Sequence, residues 1–219
     1  GVRECVEFLK SLSPNKSILF NKEIFQISGP KPEWIDQPSP KILVGATKPK
    51  MLSMATEVAD GLVMSDVTLA RIEECMEVIN VSLNNNGRDR KTFAVSNLFS
   101  WHVKSDKEEA IAEASSKLFV RGMLDQWYIS TFLDSNESQI VEDNLHAFAE
   151  AYAHNSNQIK GVRDNIVHKL IDNLTFTGDL GDIDRFTEEM IQFKNAGLDE
   201  FAIRLYKNPE QSMTVIAER

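Results

Sequence analysis

The clearest chemical signal in the sequence is a short link between an apolar run and a helical pattern. This link reads Gly45-Ala46-Thr47-Lys48-Pro49. Small residues allow a ligand to approach the backbone, and the N–H groups at the start of a helix attract an anion. Lys48 and Lys50 add positive charge at the same end. The link therefore predicts a pocket for a phosphate, with the alternative that its glycine and proline only shape a strand-to-helix turn.

Three other polar residues fall at or near the carboxyl ends of predicted strands, namely Ser65, His102 and Arg204. Binding sites of parallel α/β proteins form at those ends, so each residue is a candidate for contacting a small molecule. Arg204 alternates with Ala202 and Tyr206 along one face. If that face is buried, the guanidinium needs an anion, which either a substrate or a carboxylate would supply.

The remaining polar residues argue against several classes of enzyme. The sequence contains no Ser-His-Asp set, no paired-carboxylate motif and no Cys-x-x-Cys pair, so hydrolase chemistry and a zinc site are not predicted. His146, His154 and His168 lie in helical patterns without the spacing of metal ligands. We therefore expect no metal centre, and the catalytic residues stay unassigned.

Charge and composition restrict the partners. The formal net charge is −9 with scattered Lys and Arg, whereas nucleic-acid binders carry a concentrated basic face. The sequence has no run of about 20 apolar residues that could cross a membrane, and no signal peptide is visible. Cys5 and Cys75 lack partner spacing and predict reduced thiols. We expect a cytoplasmic protein that binds a small molecule, rather than nucleic acid or a membrane.

The link joins two predicted strands through a helix. Residues 41–46 contain a wholly apolar run, which is typical of a strand buried on both faces. Pro49 suits the first helical position, and Asp60-Gly61 ends the helix before a second strand at residues 61–65. Strand, helix and strand within about 25 residues form a βαβ unit, whose two strands are parallel neighbours in one sheet.

The rest of the chain adds two strands, at residues 93–103 and 201–206. Helical patterns cover residues 1–12, 69–83, 182–195 and 209–218, short strands cover 18–20 and 24–27, and residues 174–177 are extended. Residues 106–168 are almost entirely helical in pattern. They predict a helical insertion over residues 106–173 within a single domain that covers residues 1–219.

Four parallel strands, each followed by at least one helix, amount to half of a (β/α)8 barrel, which needs about 250 residues. We therefore expect the carboxyl-terminal portion of a longer protein. The alternative is a complete small α/β domain with a four-stranded sheet.

Several stretches match motifs of one family across nearly the whole chain. The strongest is VGATKPKML at residues 44–52, followed by EVADG at 57–61. Further matches are VRECVEFLK at residues 2–10, NGRD at 86–89, AGLDEF at 196–201 and IAER at 216–219. Together they resemble the luciferase-like monooxygenase superfamily, most closely its deazaflavin-dependent branch, which includes methylenetetrahydromethanopterin reductase. The family has a glycine where this chain has Lys48, so this side chain either narrows the cofactor pocket or adds a charge toward the phosphate.

The resemblance implies the fold class and the cofactor. The four strands correspond to strands five to eight, so the fold class is α/β, the carboxyl-terminal half of a TIM barrel with a helical insertion. The implied cofactor is a deazaflavin coenzyme or FMN, which we expect the link at residues 45–49 and Ser65 to bind. His102 and Arg204 are the candidate substrate-binding residues.

The resemblance also implies a flavin- or deazaflavin-dependent oxidoreductase that performs hydride transfer or monooxygenation on a small organic substrate. The complete protein is expected to be a homo-oligomer, and the isolated fragment to be inactive. The alternative from a different class is a non-catalytic half barrel that binds flavin or associates with a partner.

Overall fold

Helices and strands alternate along much of the chain in the computed structural model, which describes residues 1–14 and 16–218. The strands are β1 Ile18–Asn21, β2 Gln26–Gly29, β3 Leu43–Gly45, β4 Gly61–Ser65, β5 Ala94–Val103, β6 Thr175–Gly178 and β7 Glu200–Arg204. The helices are α1 Val2–Ser11, α2 Pro49–Val58, α3 Leu69–Asn85, α4 Lys107–Ser115, α5 Gln126–Ile129, α6 Ser135–Asp143, α7 Leu145–His154, α8 Asp164–Leu174, α9 Ile183–Asn195 and α10 Pro209–Ala217.

The chain divides into two compact units. The first consists of Gly1–Val63 with Glu77–Val95, and the second of Met64–Met76 with the chain from Ser96 onward. Strands β4 and β5 and helix α3 each run from one unit into the other, so each contributes residues to both. The two units are described separately below.

The predicted βαβ unit lies in the first unit. Strands β3 and β4 pair in parallel, with Leu43 opposite Gly61 and Gly45 opposite Val63, which confirms that they are parallel neighbours. Strand β3 is shorter than the predicted residues 41–46. The Ile42 N–H donates to the Asp60 carboxylate at 2.8 Å, so a side chain accepts the bond that would have extended the strand.

Family-like motifs of the first unit have structural roles. Arg88, within NGRD, donates from Nη1 to the carbonyl oxygens of Thr56 and Ala59 at 2.5 and 2.7 Å. These carbonyls lie at the carboxyl end of α2, where a cation satisfies unpaired acceptors and opposes the helix dipole. Asp89 accepts the Lys91 N–H at 2.9 Å and caps the following 3-10 turn. The motif therefore fixes the connection between a helix and a strand.

Strand β5 is the central strand of the second unit. It pairs in parallel with β7 over Ser96 to Ser100 and with β6 over Ser100 to Val103. The prediction of four strands is therefore wrong, because β6 joins the sheet as a fifth. The strand order is β3-β4-β5-β6, with β7 also paired to β5. Strand β6 reads Thr-Phe-Thr-Gly and lacks the apolar run that marks a buried strand.

The two faces of β5 have different surroundings. Phe99 and Trp101 belong to a buried apolar cluster with Phe176 and with Phe186 of α9. The ring centroids of Phe99 and Phe176 lie 4.7 Å apart. Because side chains alternate along a strand, Ser100 and His102 lie on the opposite face. Helix α9 thus packs against the apolar face of β5, and the polar side chains of this strand lie on its other face.

Helices α4 to α8 contribute to a second buried apolar cluster, which includes Leu118, Phe148 and Leu170. The nearly continuous helical pattern at residues 106–168 is divided by 3-10 turns, one of which contains three consecutive residues in the left-handed region. Within residues 1–14 and 16–218, every helix is too short or too polar to cross a membrane.

Candidate functional site

The structure places the predicted site residues in different units. Residues 45–49 belong to the first unit, and Ser65, His102 and Arg204 belong to the second. Each group is therefore characterised within its own unit.

The link between β3 and α2 offers an open approach at its first residue. Gly45 is exposed, and a Cβ atom added there would meet no heavy atom within 4 Å. Ala46 is buried, and its N–H donates to the Val63 carbonyl oxygen at 3.1 Å. This N–H is therefore used by the sheet and does not face a ligand.

The start of α2 offers fewer free backbone N–H groups than the sequence suggested. Pro49 has no N–H, and the N–H groups of Met51 and Leu52 donate to the Lys48 carbonyl oxygen at 2.9 and 3.0 Å. The expectation of several free N–H groups is corrected accordingly. Lys48 and Lys50 are both exposed here, so a phosphate at this end would meet lysine charge more than backbone donors. The link can therefore hold a phosphate if the two lysine side chains supply most of the contacts.

Ser65 ends β4 beside a buried ion pair. Its hydroxyl donates to Asp66 Oδ2 at 2.9 Å. Asp66 also accepts from Arg121 Nη1 at 2.7 Å and from the Gly122 N–H at 2.9 Å. Burial raises the pKa of Asp66 above its usual range, although Arg121 and these hydrogen bonds act in the opposite direction. The Ser65 hydroxyl proton is therefore used in the hydrogen bond to Asp66. A ligand could bind this hydroxyl only by donating a hydrogen bond to its oxygen.

His102 lies near the carboxyl end of β5, as the sequence predicted, and its side chain is on the polar face of the strand and completely buried. Its Nδ1 lies 2.8 Å from Glu113 Oε2. The other Glu113 oxygen lies 3.2 Å from Lys104 Nζ and accepts the Lys207 N–H at 3.3 Å. Glu113 therefore joins β5, α4 and the segment after β7 through one carboxylate.

The hydrogen bond to Glu113 fixes the tautomer of His102. A carboxylate only accepts, so Nδ1 must carry the proton and Nε2 must hold a lone pair in the neutral ring. Among the described residues, Nε2 has no hydrogen-bond partner. Burial lowers the pKa of His102, and the charges of Arg121 and Lys104 lower it further against the opposing effect of Glu113. The ring is therefore a neutral base at neutral pH.

Glu113 remains ionised. Burial alone raises the pKa of this carboxyl, but the hydrogen bond with His102 and the charge of Lys104 outweigh it, and the net shift is downward. An ionised Glu113 beside a neutral His102 is the arrangement in which the carboxylate stabilises an imidazolium when a proton arrives.

Tyr206 covers the His102 ring. The two rings are stacked with centroids 4.6 Å apart and planes 17° from parallel. The Tyr206 hydroxyl lies 3.4 Å from Ser100 Oγ. Arg204 is exposed, with its guanidinium 5.2 Å from the Tyr206 ring centroid. The condition that a buried Arg204 requires an anion is therefore not met, and its role in substrate binding stays a prediction.

A cavity of about 490 Å3 adjoins this cluster within the second unit. Its lining includes Glu113, Ser116, Lys117, Asn155, Tyr206 and Lys207. Glu113 and Tyr206 contact both the cavity and His102, so these two side chains separate the cavity from the imidazole. The lining includes charged, amide and hydroxyl groups, which suit a small polar molecule.

Sequence reasoning missed Glu113, Lys104 and Arg121 as members of these clusters. One signal was present, because Ser96, Ser100 and His102 repeat at intervals of two or four along β5, and Lys104 continues the alternation directly after the strand. A polar stripe on a buried strand indicates a face that requires polar partners.

Comparison with known proteins agrees with this architecture. The family model for luciferase-like monooxygenases matches residues 1–200. A 5,10-methylenetetrahydromethanopterin reductase of Archaeoglobus fulgidus is 24% identical over 216 residues, which are 98% of this chain and 62% of the relative.

Solved structures show the same α/β fold with a parallel sheet. The coenzyme F420-dependent tetrahydromethanopterin reductase of Methanopyrus kandleri matches with a TM-score of 0.69 and 16% identity, over 99% of this chain and 60% of that protein. The oxygenating constituent of 3,6-diketocamphane monooxygenase from Pseudomonas putida, solved with FMN, matches with a TM-score of 0.56 and 17% identity, over 99% and 61%. The chain thus spans about three fifths of the length of these relatives.

Proposed function

The chain belongs to the luciferase-like monooxygenase family, and on that premise we propose that it forms part of a flavin- or deazaflavin-dependent oxidoreductase. The reaction is hydride transfer to or from a small organic substrate, or its monooxygenation. The observation that carries the proposal is the match of the family model to residues 1–200. The reductase and FMN-bound monooxygenase among its relatives supply the two candidate cofactors, a deazaflavin coenzyme and FMN.

The same premise places the strands within a barrel. We propose that β3, β4, β5 and β7 correspond to the last four strands of a (β/α)8 barrel, and that residues 106–173 are an insertion between β5 and the segments that follow. This placement is supported by the length of the match, because the chain covers only about 60% of each relative. Functional groups then lie at the carboxyl ends of the strands, where Ser65 and His102 are found.

The link at residues 45–49 is the proposed contact for the cofactor phosphate. Gly45 leaves the space open, and Lys48 and Lys50 supply the charge. Ser65 is a separate proposed cofactor contact in the second unit. The bound cofactor would supply the hydride or oxygen chemistry, and the protein holds and shields it.

Fluorescence titration of the full-length protein with FMN and with the deazaflavin coenzyme tests the proposal. Riboflavin, which has the FMN ring but no phosphate, is the matched control ligand. If the link binds the phosphate, FMN binds at least about tenfold more tightly than riboflavin, which corresponds to about 1.4 kcal/mol. Absence of saturable binding by either cofactor contradicts the proposal.

Oxygen uptake then separates the two reactions. A monooxygenase consumes O2 when supplied with reduced FMN and substrate, whereas a reductase transfers hydride without O2 consumption. Saturable cofactor binding without turnover of any substrate would instead support a non-catalytic binding protein. Small-molecule substrate and homo-oligomeric assembly are part of the same proposal, and mass measurement in solution tests the assembly.

A further inference from the structure

The His102–Glu113 pair has the geometry of a base held for proton transfer. Building on the proposed function, we propose that His102 is the proton-transfer residue for a small polar molecule that enters through the 490 Å3 cavity. Glu113 and Lys104 are positioning residues, and Tyr206 is the cover that must move for Nε2 to be reached. The molecule presents a hydroxyl or N–H group to the imidazole.

The first support is the unpartnered Nε2 nitrogen. Buried polar atoms almost always have hydrogen-bond partners, so one without a partner points to a ligand or to a water molecule. His102 has no exposed surface, while its Nδ1 is already engaged at 2.8 Å by Glu113. The ring is thus fixed on one side and available on the other.

The second support is the charge that surrounds the ring. Among the described residues, Glu113 from α4 is the carboxylate in hydrogen-bond contact with the ring, and Lys104, which directly follows β5, lies 3.2 Å from that carboxylate. Arg121, between α4 and α5, acts on the ring from a greater distance, and Tyr206 stacks on its face. Two cations favour the neutral base before transfer, and the adjacent carboxylate stabilises the imidazolium after it.

The third support is the position of Tyr206. Its ring contacts His102 on one side and lines the cavity on the other. Its hydroxyl contact with Ser100 is long, at 3.4 Å. Tyr206 also lies in the short connection between β7 and α10, outside regular secondary structure. A rotation of this one side chain would therefore open the His102 ring to the cavity.

The step itself is a proton transfer without a change of oxidation state at the ring. An N–H bond forms at Nε2 as the O–H or N–H bond of the bound molecule breaks, and the electron pair of that bond stays on the molecule. The imidazolium charge faces the Glu113 carboxylate. In the reverse direction, the same proton returns to the molecule.

Acylation with diethylpyrocarbonate, followed by mass spectrometry, tests the access route without requiring cofactor or activity. The reagent acylates unprotonated imidazole, and the exposed His146, His154 and His168 serve as internal standards. We expect His102 to react at least about tenfold more slowly than these residues in the wild type. Tyr206→Ala should raise the rate at His102 at least tenfold and leave the three standards unchanged. An unchanged His102 rate in this variant overturns the role of Tyr206 as the cover.

Kinetics test the chemical role separately. His102→Gln should lower kcat by about 10²–10⁴-fold and remove the acidic limb of the pH profile, which is the effect of losing a general base. The matched control is His154→Gln, at an exposed residue that ends α7, and it should change neither kcat nor the pH profile. Glu113→Gln should keep part of the rate and displace that limb, since the ring loses its orienting charge.

Two results would overturn the proton-transfer role. One is an acidic limb that survives unchanged in His102→Gln, and the other is a loss of rate no greater than that of His154→Gln. Long-range 15N–1H spectra give a readout that is independent of catalysis, because they report directly which ring nitrogen carries the proton. A proton on Nε2 of neutral His102 in the wild type contradicts the assigned tautomer. Failure of cofactor binding would affect only the kinetic test, so the two proposals fail distinguishably.

Discussion

Asp66 and Arg121 form an ion pair in which both side chains are almost entirely buried. Arg121 Nη1 lies 2.7 Å from Asp66 Oδ1, with exposed fractions of 1% and 0%. Asp66 holds a left-handed backbone, with φ at 55°. Gly122, which also donates to Asp66, begins the run of left-handed residues that continues through Met123 and Leu124. The pair therefore anchors a strained segment of the chain to the end of β4, and strain of this kind persists only where surrounding contacts hold it.

Removal of one member of the Asp66–Arg121 pair should destabilise the fold strongly. Arg121→Met leaves a buried carboxylate without its cation, and Asp66→Asn leaves a buried guanidinium, so each should cost about 3–5 kcal/mol. Asparagine tolerates the left-handed backbone at position 66, so the second variant isolates the charge. Urea unfolding measures the free energy of each variant.

The double variant and a surface control complete this test. The combined substitution should cost clearly less than the sum of the two single costs, because no isolated charge remains buried. Arg185→Met removes an exposed guanidinium 3.4 Å from Asp182 and should cost at most about 1 kcal/mol. Single-variant costs similar to that control would show that the buried pair is not an anchor.

The stability of the protein should depend on His102 at mildly acidic pH. Burial lowers the folded-state pKa of this ring below its unfolded value of 6.5. Below pH 6.5 the unfolded chain therefore binds a proton that the folded chain does not, and stability falls as the pH falls toward the folded-state pKa. Above pH 6.5 both states are neutral and the contribution is constant.

The difference between wild type and His102→Gln isolates this contribution, since other acids titrate in both proteins. Urea unfolding between pH 8 and pH 5 should show a wild-type decline that begins near pH 6.5 and that the variant lacks. Glu113 has a lowered pKa, so its stabilising contribution persists until the pH falls below about 4.5. Parallel curves for the two proteins between pH 5 and pH 6.5 would contradict the assigned shift of His102.

Lys48→Glu should weaken the binding of a phosphate-bearing cofactor by at least about tenfold. Lys48 occupies the cap position of α2 and is exposed, and the backbone around it offers few donors. A reversed charge there repels the phosphate and should also flatten the decrease in affinity with added salt. Fluorescence titration across a series of salt concentrations measures both effects.

Lys91→Glu is the matched control for Lys48→Glu. It makes the same charge change at another exposed lysine of the first unit and should leave FMN affinity nearly constant. Riboflavin binding should be insensitive to both substitutions. Equal FMN affinity in Lys48→Glu and wild type would mean that the backbone of the link alone holds the phosphate.

Local patterns predicted much of the fold because short-range signals determine it. The apolar run before Gly45, the proline at the start of α2 and the turn at Asp60-Gly61 predicted a parallel βαβ unit that the structure contains. Strand β6 escaped prediction as a member of the sheet. Its four residues carry little apolar signal, and their role depends on pairing with Ser100 to Val103, more than 70 residues away in sequence.

The candidate site could be predicted only in part, for the same reason. His102 was identified because it falls near the end of a predicted strand. Glu113 lies in a helix that also contains Glu108 and Glu109, and no local pattern distinguishes the one that meets the imidazole. Arg121 likewise pairs with Asp66 across 55 positions. Long-range pairing, which no local pattern contains, assembled these groups.

The two cysteines should differ sharply in reactivity. Burial, together with the nearby Glu74 carboxylate, raises the pKa of Cys75 to about 12, whereas Cys5 is exposed. At pH 8 about one Cys75 in ten thousand is a thiolate, and its access is blocked as well. Titration with a coloured disulfide reagent should find one reactive thiol per native chain and two in denaturant. Cys5→Ser should abolish the native reaction, and rapid modification of Cys75 in the native chain would contradict its assigned burial.

Residues 1–219 expressed alone should self-associate through β3. Within the described residues this strand pairs only with β4, and its outer edge presents unpaired backbone groups beside Leu43, which is 49% exposed. Such an edge templates pairing with another chain, and a lysine on it opposes that pairing. Leu43→Lys should therefore lower the weight-average mass measured by light scattering. Leu19→Lys is the matched control, because Leu19 is 84% exposed but lies in the separate β1–β2 hairpin.

The two leucine variants distinguish edge pairing from general apolar association. If exposed apolar surface of any kind drives association, Leu19→Lys should be at least as effective, since more of its side chain faces solvent. If the β3 edge drives it, Leu43→Lys alone reduces the mass. We also expect the same chain not to bind FMN or the deazaflavin coenzyme stoichiometrically, because a barrel site requires strands from both halves. A monomer that binds one cofactor per chain would show that these 219 residues are sufficient for the site.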